Sequence, residues 1–111
     1  MGVHTAMTMA RAGNVLISNP FATQIDTMSQ EESSYWGGGT GAVPYMRYRI
    51  FVKAPNIFVQ GDFQQGDLLI DTNTNDLDSK TGLNKSYRII NDPEFFFDSH
   101  VEVVADRVRG N

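Results

Sequence analysis

Tyr45-Met46-Arg47-Tyr48-Arg49-Ile50-Phe51-Val52-Lys53 sets Met46, Tyr48, Ile50 and Val52 on one side of an extended chain and Arg47, Arg49 and Lys53 on the other, with Phe51 alone out of step. Side chains alternate across a strand, so this spacing predicts one buried and one wetted face. Downstream, apolar runs recur at 57–60, Leu68–Asp71, 86–91 and 100–105. Ala54-Pro55-Asn56, Gly61-Asp62, Gly66-Asp67 and Asp92-Pro93 punctuate them as turns. The last run sits in a closing strand over 99–108, with Val101, Val103 and Ala105 opposite Glu102, Val104 and Asp106. Several short strands at this spacing predict an all-β domain, a sandwich or a barrel. No amphipathic helix of useful length and no internal repeat is visible.

Upstream the pattern is weaker. Residues 1–13 are small and polar, without a period, and end at Gly13, which predicts a flexible N-terminal arm outside a domain spanning 14–108. A short strand over 14–18 is stopped by Asn19-Pro20, and 21–28 alternates loosely as a second strand. Residues 29–44 break the pattern: a polar stretch leads into Tyr35-Trp36 and then Gly37-Gly38-Gly39-Thr40-Gly41. A loop this long in so small a domain is uncommon and is usually functional or disordered. An aromatic pair beside glycines marks a segment that orders against a partner, the alternative being a mobile loop whose Trp36 caps the core edge.

At 111 residues the chain supports one modest core. It has no cysteine, which excludes disulfides and thiolate metal sites. No run reaches the roughly 20 apolar residues of a membrane helix. No apolar block marks a secretory leader, and Ala6 stands where the myristoylation pattern needs Ser or Thr. A net charge of −4 argues against general nucleic-acid binding, which rests on neutralising phosphates. Acidic residues crowd the stretch from Asp62 to Asp106, while Arg47, Arg49 and Lys53 form the dense basic stretch. Such asymmetry suits an acidic face of one copy meeting a basic face of another, or ordinary solvation.

Each chemical motif weakens on inspection. Asp71-Thr72-Asn73-Thr74-Asn75-Asp76-Leu77-Asp78 alternates oxygen ligands like a calcium loop, but Asp76 replaces the turn glycine and Gly82 the closing glutamate. Gly37–Gly41 has no Gly-Lys-Ser/Thr after it, so it is no phosphate cradle. Asp98-Ser99-His100 has the residue types of a hydrolase triad, yet neighbours along a strand point to opposite faces and are not expected to assemble. Tyr45, Tyr48 and Phe51 interleave with cations as on a single-strand stacking platform, but alternation sends Tyr48 to the core face. No catalytic residue, metal or cofactor is expected.

Gly66-Asp67-Leu68-Leu69-Ile70, Tyr87-Arg88-Ile89-Ile90 and His100-Val101-Glu102-Val103-Val104 together resemble the head-completion proteins of tailed bacteriophages, the head-to-tail stoppers or head–tail joining proteins. In that family a Gly-Asp turn feeds a strand, a Tyr-Arg strand answers it, and a strand beginning near His closes the chain. The resemblance covers about 45–108; the triple Phe95-Phe96-Phe97 departs from it. It implies a small antiparallel β-barrel of about six to seven strands. It also implies a structural virion protein, made in the host cytoplasm and located in the neck. There it would form a homo-oligomeric ring that closes the portal channel after DNA packaging and offers the tail its attachment surface. Expected partners are other copies, portal or adaptor proteins, tail or tail-terminator proteins, and packaged DNA without sequence preference; no membrane is expected. Expected interface residues are Tyr35, Trp36, Gly37, Gly38, Gly39, Arg47, Arg49 and Lys53. A tail terminator or other tail-ring subunit is the alternative, followed by an OB-like single-strand binder.

Overall fold

The computed structural model describes residues 2–27, 47–53, 62–79, 82–96 and 99–108. Seven strands are present: β1 Val3–Arg11, β2 Asn14–Thr27, β3 Arg47–Lys53, β4 Leu68–Asp71, β5 Ser86–Ile89, β6 Glu94–Phe96 and β7 His100–Val108. They run β3-β2-β1-β4-β5-β7, every neighbour antiparallel, and β3 pairs with β7 to close a six-stranded barrel; β6 is an extra strand on β7. The β3–β7 pairing joins the two ends of the six-stranded order, and β2 meets β3 over Thr23–Thr27.

The alternation read from β3 holds on its inner face. Ile50 and Val52 are fully buried and Tyr48 packs against the core. They meet Met7 and Met9 of β1, Phe21 and Ile25 of β2, Leu69 of β4, Tyr87 and Ile89 of β5, and Val101, Val103 and Ala105 of β7. Phe63, from the turn before β4, joins them and meets Phe21 edge-on at 5.5 Å between ring centres. Burying each large apolar side chain contributes about 1.5–3 kcal/mol, so this cluster is the main source of cohesion in a chain without cross-links.

Three expectations need correction. Residues 1–13 are not a loose arm, since β1 lies between β2 and β4 and buries Met7 and Met9 completely. The polar residues hid a strand whose inward positions are Thr5, Met7 and Met9. Asn19-Pro20 does not end a strand either, because β2 runs through it. Between the pairs Met7↔Phe21 and Met9↔Ile17, β2 takes four residue steps where β1 takes two, and another residue is extra before Ala10↔Val15. Proline is tolerated at such a bulge because no ladder N–H is required of it there. Asp92-Pro93 is likewise an insertion and no reversal, as β5 and β6 both pair with β7, at Ile89↔Ala105 and Phe95↔Val101. The excess residues are pinned where Ile90 N–H donates to the Val104 carbonyl (2.8 Å) and Val104 N–H to Asn91 Oδ1 (2.9 Å). The run at 57–60 and the loop at 29–44 lie outside the described residues.

The Gly66-Asp67 turn is built as its composition suggests. Gly66 has φ +96°, open to glycine at little cost. Buried Asp67 accepts from Gln64 N–H (2.8 Å) and from Arg11 Nε and Nη2 (2.8 and 2.9 Å). The turn before β4 is thereby tied to β1, and the carboxylate's hydrogen bond holds the Arg11 pKa above its ordinary value.

Candidate functional site

The outer face of β2, β3 and β7 carries the described part of the expected interface. Strand register places Arg47 opposite Asp106, Phe51 opposite Glu102, and Lys53 opposite His100, with Gln24 beside Phe51 and Asp26 beside Arg49. Arg47 is only 2% exposed, and its Nε and Nη2 donate to Asp106 at 2.6 and 3.2 Å. Its expected place on the wetted face of the strand is corrected: Arg47 is buried and paired with the directly opposed Asp106. Arg49 Nε stands 4.0 Å from Glu102 Oε1, and Lys53 Nζ donates to Gln24 Oε1 at 2.9 Å. Both remain partly exposed. Tyr35, Trp36, Gly37, Gly38 and Gly39 lie outside the described residues.

A cleft of about 450 Å³ opens on this face, lined by Gln24, Asp26, Phe51, Lys53, Ser99 and His100. The His100 ring meets Phe51 edge-on at 5.6 Å and stacks on Phe96 at 4.7 Å. Ser99 Oγ is 2.7 Å from His100 Nδ1, and His100 Nε2 is 3.2 Å from Glu102 Oε2. The expectation that Ser99 and His100 stay apart is therefore wrong. β7 begins at His100, so Ser99 belongs to the preceding turn and escapes strand alternation. In the Nε2–H tautomer the imidazole accepts from Ser99 and donates to Glu102. That fixes its ring over Phe96, and the signal missed in the sequence was the i, i+2 pair His100/Glu102 on one strand face. Opposite, Gln24 Nε2 donates to Asp26 Oδ1 at 3.1 Å, extending the Lys53–Gln24 contact. The cleft thus has an aromatic floor and a hydrogen-bonded polar rim, a surface suited to holding a partner's side chains.

The carboxylates of the acidic loop after β4 are engaged by partners within the chain. Asp71 Oδ1 accepts from Thr5 Oγ1 (2.6 Å) and Asn73 N–H (2.9 Å), Asp76 pairs with Lys85 (2.8 Å), and buried Asp78 with Arg107 (2.8 Å). Among the described residues no group of three or more His, Asp or Glu is placed to hold a metal ion. Tyr87, buried beside Arg107 and Tyr48, has its phenol pushed up to about 12, chiefly by burial and partly offset by Arg107.

These features define a class: a small closed antiparallel barrel with one extra strand and a polar, aromatic-floored outer cleft. The solution structure of protein SF1141 from Shigella flexneri 2a has a similar fold, with a TM-score of 0.55 at 11% identity, covering 93% of this chain and 90% of that one. No family model matches the chain, and no curated protein matches it.

Proposed function

We propose that this chain is a structural ring subunit of a phage head-to-tail connector, closing the portal channel after packaging and presenting a surface to the tail. The observation that supports it is the arrangement of the three resembling segments. Gly66-Asp67 feeds β4, β4 pairs with the Tyr87-Arg88 strand β5, and β5 pairs with β7, which begins at His100. They form one contiguous stretch of barrel wall, in the order the resemblance implies.

The charge arrangement favours a protein-contacting role over single-strand binding. Arg47 is committed to Asp106, Arg49 lies beside Glu102, Lys85 is paired with Asp76, and Arg107 with Asp78. Cations already neutralised within the chain release few counterions from a phosphate backbone. Tyr48 packs against the core with its ring edge-on to Tyr87, an arrangement that spends it on the protein interior. Electron microscopy of virions carrying a tagged copy tests the proposal: label confined to the neck supports it, and label absent from the particle overturns it.

A further inference from the structure

Ser99, His100 and Glu102 are joined in a line of hydrogen bonds. Ser99 Oγ lies 2.7 Å from His100 Nδ1, and His100 Nε2 lies 3.2 Å from Glu102 Oε2. Both spans are within the reach of a nucleophile from its base and of a base from the carboxylate that orients it. Either imidazole nitrogen can act as the base, provided the proton sits on the other one. A carboxylate at Nε2 holds it there and leaves the Nδ1 lone pair facing the hydroxyl. The ring is also held by packing, stacked on Phe96 at 4.7 Å and edge-on to Phe51 at 5.6 Å. The turn carrying Ser99 is pinned in turn, since Ser99 N–H donates to the Phe96 carbonyl at 3.1 Å. Ser99 is exposed, and it lines the cleft of about 450 Å³ together with His100, Phe51 and Lys53. An accessible hydroxyl, a base and an orienting acid beside a cleft satisfy the geometric requirements of acyl transfer.

We propose that Ser99, His100 and Glu102 hydrolyse small carboxylic esters in this cleft, an activity independent of the ring role. Ser99 Oγ attacks the ester carbonyl carbon while its proton passes to His100 Nδ1, and the carbonyl electron pair moves onto oxygen. The imidazolium keeps its Nε2–H on Glu102, whose negative charge stabilises it. Collapse of the tetrahedral intermediate breaks the bond to the alkoxy oxygen, which leaves as the alcohol with the proton from His100. Water then attacks the acyl-Ser99 ester, His100 again takes and returns the proton, and the free acid departs. Lys53 stands opposite His100 on β3, in the same lining, and is the donor for the developing oxyanion. Its contact with Gln24 Oε1 occupies one of the three N–H groups an ammonium carries. Phe51 supplies the apolar surface for the acyl or aryl group, and the cleft volume suits a small substrate.

The full chain is mixed with p-nitrophenyl acetate, nitrophenolate release is followed, and the acid-quenched protein is examined by mass spectrometry. The expected result is a burst of nitrophenolate with the acetyl group on Ser99, followed by steady turnover. Ser99→Ala, which removes one exposed oxygen from a turn and leaves the packing intact, is expected to lose the burst and to lower turnover roughly 100-fold. For the positioning residue, Glu102→Gln is expected to lower kcat with KM unchanged, and Glu102→Asp to recover part of the loss. Acetyl found only on His4 or on lysines, equal release by Ser99→Ala, or release no faster than in buffer overturns the proposal. An unchanged kcat in Glu102→Gln overturns the role given to Glu102. The place of the tagged protein in the particle is a separate measurement, so failure of the ester chemistry leaves the ring reading where it was.

Discussion

Tyr87 and Asp67 show how single side chains set the behaviour of this barrel. Burial holds the Tyr87 phenol protonated up to about pH 12, whereas in the unfolded chain it ionises near 10.0. Its contribution is therefore complete below pH 10 and is lost as pH rises through about 12, because across that window the unfolded chain has released a proton that the folded one keeps. Urea unfolding is expected to show stability falling by at most about 1.4 kcal/mol per pH unit there, with the slope reduced in Tyr87→Phe. An unchanged slope would contradict the burial. Asp67 joins the β4 turn to β1 through Arg11 and Gln64. Asp67→Ala is expected to cost about 1–2 kcal/mol in urea unfolding, since it removes the hydrogen bonds that tie the β4 turn to Gln64 N–H and Arg11. A loss below about 0.5 kcal/mol would contradict it.

At the scale of elements, strands with clean alternation were legible and those built on bulges were not. β3 and most of β7 carry their inward residues at every second position, whereas β4 and β5 show in the sequence as short apolar runs between turns. β1 escaped because its inner face mixes Thr5 with Met7 and Met9, and its outer face has few charges to set the period. β2 was divided at Asn19-Pro20 because a bulge accommodates a proline that a regular ladder would not. Of the cleft, Lys53 was read as an interface residue, while Phe51, Ser99 and His100 were weighed for other chemistry and set aside. Gln24, Asp26, Ser99 and His100 meet Phe51 and Lys53 of β3 only through pairing between strands distant in the chain. The Ala12-Gly13 turn is legible in retrospect, since Gly13 at φ +84° needs what glycine permits. Gly13→Ala is expected to cost about 1–2 kcal/mol in thermal unfolding. No loss would mean that the hairpin turn is built differently.

For the whole molecule, closure and internal charge pairing shape what the surface offers. Pairing of β3 with β7 closes the wall, and Arg47 and Arg49 of the outer face lie beside Asp106 and Glu102 of β7. Among the described residues this face also carries the aromatic-floored cleft. The proposed role as a connector ring makes one direct demand on the particle. Electron microscopy of tagged virions should find this chain as a closed ring between the portal and the tail. Label spread over the capsid, label along the tail tube, or particles without the protein would contradict it.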